Sequence, residues 1–305
     1  APPPPASDRL AGGDRYATAA AISAASRRPG VDRVYVGTGR QYPDALAAGP
    51  AAAASGGSVL LTAPTALPPS TAAELARLQP SEIVLAGGFA SVSTDVAQAL
   101  SRYGPVRRVA GGDRYSTAAA IARDAFDGPV PVLYLASGRN FPDALAGGAA
   151  AAAQGAPLLL TEPSRLPDAT EQAIRALRPA HIVVLGGPTA ITDGVLSTVA
   201  SYAGSVTRVF GTNRFATSGE VSRWTFPGQT NVVYLATGLE FPDALAGGPA
   251  AGAHDSPLLL VRPDALPPAA AAELARLRPR HVVALGGTSA VSAATLAAAK
   301  AAAGH

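Results

Sequence analysis

Short apolar runs alternate with longer segments of small residues along the whole chain. In the first third, Arg9–Ala11, Arg33–Val36, Val59–Thr62 and Ile83–Ala86 are carried largely by Val, Leu and Ile and predict short strands. Between them Asp14–Ala25, Asp44–Ala54, Ser70–Leu78 and Ser93–Arg102 predict Ala-rich helices of 9–12 residues. Ser70 opens its helix after two prolines, and Ser93 is a fitting N-cap. The pattern restarts at Arg107-Arg-Val. Strands alternating with helices of this length imply a parallel sheet with right-handed crossovers, so each unit is expected to be a small α/β sandwich.

The restart is a repeat of sequence as well as of pattern. Ala11-Gly-Gly-Asp-Arg-Tyr-Ala-Thr-Ala returns as Ala110-Gly-Gly-Asp-Arg-Tyr-Ser-Thr-Ala and as Phe210-Gly-Thr-Asn-Arg-Phe-Ala-Thr-Ser, at intervals of 99 and then 100 residues. Tyr42-Pro-Asp-Ala-Leu-Ala returns from Phe141 and Phe241, and a Gly-Gly pair recurs at Gly87, Gly186 and Gly286. A period near 100 fits a small domain rather than a solenoid turn. Three tandem units are therefore expected over 7–104, 105–205 and 206–305, after a proline-rich linker over 1–6.

Composition narrows the function classes. Hydrophobic residues make up 48% and charged residues 15%, enough apolar surface for packed cores. A net charge of +3 does not make a nucleic-acid-binding surface, whatever the basic pI of 9.4. Ala45–Ala73 carries no charge, but Pro50, Gly56, Gly57, Pro64, Pro68 and Pro69 interrupt it, so no membrane span is expected. Without Cys there is no disulfide, no thiolate zinc site and no thiol nucleophile. The absence of Met, with an Ala1-Pro-Pro-Pro-Pro opening, reads as a processed chain that starts in the end of a linker.

Three repeated motifs fall where strands end and helices begin, the place at which open parallel sheets receive ligands. Asp14, Asp113 and Asn213 are suited to cap helices. Arg15, Arg114 and Arg214 put a cation in the first helical turn, against the macrodipole, so a partner is expected for each. Asp44, Asp143 or Asp243 of the same unit could serve, or an external anion, and a bidentate guanidinium can serve both. Thr38-Gly-Arg-Gln-Tyr-Pro-Asp and its copies lack the third Gly of a dinucleotide fingerprint and the Lys of a P-loop. Arg40 and Arg139 are matched by Leu239, which confines any anion contact at that position to two copies. Ser58-Val-Leu-Leu-Thr, Pro157-Leu-Leu-Leu-Thr and Pro257-Leu-Leu-Leu-Val read as buried strands. His181 and His281, facing Glu82 in the first copy, read as a solvated edge, and Trp224 as core. At 5% aromatic content no stacking groove for polysaccharide is evident. No catalytic triad, metal-ligand spacing or paired-acid arrangement occurs, so neither an enzyme nor a cofactor is expected.

Taken together, these motifs, in order and in three copies over residues 7–305, resemble the type 2 cell-wall-binding repeat of Gram-positive surface and secreted proteins. The resemblance implies three Toprim- or flavodoxin-like units packed as a pseudo-threefold trimer within a monomer. It implies a module that anchors a secreted protein non-covalently, at the extracellular wall, to an anionic secondary polymer of teichoic or teichuronic type. In that family a Pro-Ile-Leu-Leu motif is implicated in binding. Its counterparts are Ser58, Leu60 and Leu61; Pro157, Leu159 and Leu160; and Pro257, Leu259 and Leu260, with Arg15, Arg114 and Arg214 supplying charge. Ser58 departs from the first copy's expected Pro, and Asn213, Phe215 and Leu239 depart in the third, so unequal sites are expected, the third copy's weakest. The alternative is a scaffold that binds another protein.

Overall fold

The computed structural model describes residues 2–41 and 43–305; Tyr42 and the side chain of Asp44 lie outside the described residues. The first repeat runs through β1 (Arg9–Leu10), α1 (Arg15–Ser26), β2 (Arg33–Thr38), α2 (Pro43–Leu46), α3 (Ala48–Ala54), β3 (Ser58–Thr62), α4 (Pro69–Leu78), β4 (Glu82–Ala86) and α5 (Thr94–Leu100). The second runs through β5 (Val106–Val109), α6 (Arg114–Ala125), β6 (Val132–Ser137), α7 (Pro142–Ala153), β7 (Leu158–Thr161), α8 (Asp168–Leu177), β8 (His181–Leu185) and α9 (Asp193–Ala200). The third has β9 (Ser205–Val209), α10 (Arg214–Thr225), β10 (Val232–Thr237), α11 (Pro242–Ala253), β11 (Leu258–Val261), α12 (Pro268–Leu277), β12 (His281–Leu285) and α13 (Ala293–Ala303). The alternation read from the sequence is thus the fold. The helix expected over 44–54 is divided at Ala47, near Pro50, whose missing N–H would have bonded the Leu46 carbonyl. The equivalent Pro249 is tolerated inside an unbroken α11. Pro69, rather than Ser70, is the first residue of α4.

Three four-stranded sheets form, all parallel, in the orders β3-β2-β4-β5, β7-β6-β8-β9 and β11-β10-β12-β1. Each has the flavodoxin-like arrangement, in which the crossovers change direction between the first and third strands. The fourth strand of every sheet belongs to the repeat that follows. β5 pairs with β4, β9 with β8, and β1, the first strand of the chain, pairs with β12, the last. The three units therefore close into a ring. Arg9 locks the closure by donating to the Gly286 and Val291 carbonyls at 2.7 Å each, and Lys300 pairs with Asp8 beside it.

Period-2 alternation sends side chains to two kinds of core. Val34, Val36, Leu60 and Leu85 face outward under α4 and α5, in a core private to the first sheet; the other two sheets have equivalents. Tyr35, Leu61 and Val84 face inward and join a single cluster shared by all three sheets. At its centre α3, α7 and α11 pack against one another. They are Ala- and Gly-rich because they are buried on every side and cross closely. Only about 10 Å³ of space remains among Leu46, Leu145 and Leu245.

The joints between units at the N-terminal ends of the strands use three chemistries. Arg33 and Arg107 bridge Glu82 and Asp124 in the first, with contacts as short as 2.7 Å. In the second, His181 stacks on Trp224 with ring centroids 5.8 Å apart, and Tyr134 meets the same indole edge-on. In the third, Tyr234 bonds His254, which also bonds the Pro3 carbonyl of the N-terminal segment. His181 and Glu82 are thus joint residues rather than a solvated edge.

Candidate functional site

The strands of each sheet end at a Thr-Gly turn (Ser137-Gly138 in the second), the Gly-Gly turn and the fourth strand contributed by the next repeat. Just beyond that strand, Gly12-Gly13-Asp14 turns the chain into α1 on the neighbouring unit. Asp14 accepts from the Ala17 N–H, Asp113 from Ser116, and Asn213 from Phe215 and Ala216, so all three cap their helices. Behind each cap a threonine hydroxyl accepts from the first glycine of the motif: Gly12 to Thr18, Gly111 to Thr117, Gly211 to Thr217.

The arginine that follows each cap finds a backbone partner. Arg15 donates to the Gly39 carbonyl at 2.6 Å, Arg114 to Gly138 at 2.6 Å and Arg214 to Gly238 at 2.7 Å. The next aromatic ring lies over the same glycine, where a Cβ on Gly39, Gly138 or Gly238 would come within 2.5–2.7 Å of Tyr16, Tyr115 or Phe215. The two motifs thus fit each other within one repeat. Two of these arginines act on a carboxylate of the preceding unit, Arg15 on Asp243 and Arg214 on Asp143, while Arg114 acts on Asp113 beside it. Burial raises the pKa of Asp143, and a hydrogen bond from Thr217 and the charge of Arg214 only partly oppose this. Burial likewise raises Asp243, against Arg15 and reinforced by Glu240. For Arg15 and Arg214 this carboxylate lies across the joint, because the fourth-strand exchange carries each of them there; the side chain of Asp44, the same-unit candidate for Arg15, lies outside the described residues.

These groups gather at the point in the sheet where strand order reverses, and at the third–first joint they line a groove. Between the third and first units it forms a depression of about 520 Å³, whose walls include Asp14, Arg15, Leu239, Glu240, Asp243 and Gly287. Repeat-equivalent positions at the first–second joint are Asp113, Arg114, Arg40, Gln41, Asp44 and Gly88, and at the second–third joint Asn213, Arg214, Arg139, Asn140, Asp143 and Gly187. Arg40 and Arg139 are exposed. The third repeat's departures therefore divide between two grooves: Asn213 and Phe215 go to the second–third groove, Leu239 to the third–first.

The strand motif is placed differently. Leu60, Leu61, Leu159, Leu160, Leu259 and Leu260 have no exposed surface, Ser58 is buried in a hydrogen bond with Ser23, and Pro157 and Pro257 are buried at strand starts. These residues hold β3, β7 and β11 in the cores and have no side-chain surface for a ligand. Among the described residues no group of three or more His, Cys, Asp or Glu side chains could hold a metal ion, and no helix is long and apolar enough to cross a membrane.

A family described as cell wall binding domain 2 (CWB2) matches over residues 9–97, 108–196 and 208–296. The chain belongs to this family. It is 31% identical over 263 residues to the amidase enhancer of Bacillus subtilis strain 168, covering 86% of this chain and 36% of that protein. It is 30% identical over 285 residues to the N-acetylmuramoyl-L-alanine amidase LytC of the same strain, covering 93% of this chain and 56% of LytC. The solved structure of Cwp6 from Clostridium difficile superimposes with a TM-score of 0.88 at 26% identity, over 96% of this chain and 47% of Cwp6. Cwp8 from the same organism shares the fold, with a TM-score of 0.89. The chain thus spans about a third to just over half the length of these relatives. It is a tandem array of three cell-wall-binding repeats of the kind carried by wall-associated surface proteins of Gram-positive bacteria.

Proposed function

We propose that this chain is a non-catalytic, monomeric anchor that holds a secreted protein to an anionic secondary wall polymer through the grooves between its units. The observation that carries the proposal is that the third–first groove combines a helix N-terminus, an arginine delivered across the joint and the switch point of a parallel sheet, and that the other two joints carry the repeat-equivalent positions. Among the groove positions named above, the second–third groove sets Arg139 and Arg214 against the single carboxylate of Asp143. The first–second has Arg40, Arg114 and Asp113, with Asp44 at the sequence position equivalent to Asp143. The third–first sets Arg15 alone against Asp14, Glu240 and Asp243. Anion affinity should fall in that order. Joint occupancy of two grooves by one repeating polymer would raise avidity by about 10²–10⁴-fold.

Cosedimentation with purified Gram-positive walls, before and after cold hydrofluoric acid removes phosphate-linked polymers, tests this. Binding should be lost on stripping and weaken with salt, and should fall in Arg40→Gln and Arg139→Gln, with circular dichroism checking that each variant keeps the fold. Equal binding to stripped and intact walls, or insensitivity to salt, would overturn it.

A further inference from the structure

Each sheet borrows its fourth strand, but not on equal terms. β5 and β9 follow closely on the sheets they complete, through α5 and α9, and pair over Val106–Val109 and Ser205–Val209. Every other strand of the ring lies in sequence between β1 and the β12 it joins, and only Arg9 and Leu10 pair, with Ala284 and Leu285. The arm that carries β1 holds on at few points. Pro5 and Leu10 are buried, the Pro3 carbonyl accepts from His254, and Arg9 donates to the Gly286 and Val291 carbonyls. Ala6–Asp8 and Ala11–Asp14 are exposed on either side of β1. The partners of Pro3, Asp8, Arg9 and Leu10 named here and above all belong to the third unit, whereas α1 belongs to the first.

Between arm and helix stands Ala11-Gly12-Gly13. A Cβ on Gly13 would meet nothing within 4 Å, and the Gly12 N–H donates to Thr18. Straightening this stretch costs that one hydrogen bond, and two glycines adopt an extended backbone without steric penalty. It then forms a tether about 10 Å long. The contacts that β1 makes with its own β12 are the same contacts it would make with the β12 of another copy. Their strength therefore cancels, and the balance rests on the effective concentration of the tethered arm, on the order of 1 mM for a short flexible link.

We infer that the free side of β12 is a strand-acceptor site for the β1 arm of a second copy, and that crowded chains trade arms in reciprocal pairs. A tether of about 10 Å does not bridge separated rings, so two third units must face each other across this joint. The exchange then closes as a two-fold dimer rather than running on as a filament. Dilute chains keep their own arms and stay monomeric. Chains gathered densely on one surface gain a link to a neighbour that adds no new type of contact. This inference stands on the ring closure and is independent of what the grooves bind.

The sequence has no Cys, so a thiol at Asp8 on the arm and another at Lys300 beside the acceptor edge are unambiguous probes of a pair that touches in the closed ring. Full chains carrying Asp8→Cys are mixed with full chains carrying Lys300→Cys and treated briefly with a short bis-maleimide. At about 2 mM the mixture should give covalent dimer about 5-fold above either variant alone, and at about 10 µM the excess should vanish. A synthetic peptide of residues 2–11 at about 10 mM should suppress the excess by occupying the β12 edge, whereas the same peptide with Leu10→Asp should not. Equal yields from mixed and single-variant samples overturn the inference. So does an excess that the peptide leaves intact, which would mark an ordinary side-by-side contact.

Discussion

Removing residues 1–10 takes β1 out of the third sheet, and the structure states what is lost. Leu10, 7% exposed, gives up about 2 kcal/mol of apolar burial. The Ala284 and Gly286 N–H groups lose the Asp8 and Leu10 carbonyls, and the Gly286 and Val291 carbonyls lose the Arg9 guanidinium. Those groups return to water at an opened edge, so together they cost about 3 kcal/mol rather than the full penalty of buried orphans. The Lys300–Asp8 pair is largely exposed and adds little. The loss is about 5 kcal/mol. With an unfolding entropy of about 2.1 cal/mol/K per residue, a chain of this length should melt about 8 °C lower. Because the inner core is continuous through all three sheets, the transition should stay single. Differential scanning calorimetry of the full chain and the truncation, with far-UV circular dichroism, measures both. A drop under about 2 °C, or an early transition confined to the third unit with the others unmoved, would refute the closed-ring account.

Other substitutions probe the site and its supports. Gly286→Ala should cost about 2 kcal/mol or more by denaturant unfolding, because its φ of +92° is left-handed and its Cβ would meet the Asp243 carboxylate; Gly287→Ala, with nothing within 4 Å, should be near neutral. Asp143→Asn and Asp243→Asn should raise thermal stability at neutral pH. A carboxyl whose folded pKa is raised by burial loses stability as pH rises through that value, so the gain should vanish in acid, where the wild type is already protonated. Destabilisation at neutral pH would mean that Arg214 and Arg15 outweigh burial. Glu82 runs the other way: its hydrogen bond from Arg107 lowers its pKa, so the stability it contributes above the ordinary glutamate range is lost as pH falls through its folded value, and Glu82→Gln should flatten the acid limb of a melting curve. Glu273→Ala leaves Arg276 and Arg223 without their fully buried partner and should cost about 2–3 kcal/mol in equilibrium unfolding, while Ala173 at the same place in the second repeat shows that the fold itself does not need the pair.

The strands and helices were legible because Val, Leu and Ile runs and Ala-rich segments differ in period, and the repeat made each reading a threefold one. Ring closure was not legible: Arg9-Leu and Arg107-Arg-Val look like the openings of their own units, and nothing local says that an edge strand crosses to its neighbour. That crossing also explains why Arg15 and Arg214 influence carboxylates of the preceding unit. The grooves were half visible. The capping aspartates and the arginines announce themselves by type and spacing, whereas the leucines of 58–61 and its copies belong to a recognisable motif and lie in the core.

The pairing of the first strand with the last has a mechanical meaning. Tension applied through the N-terminal segment enters at β1, beside Lys300 of the final helix, and passes at once into the third sheet through β12 and, by way of α1, onto the first. Domains strung as beads yield one after another from the pulled end. Here the pull arrives at the clasp of a hoop, and all three units carry it together.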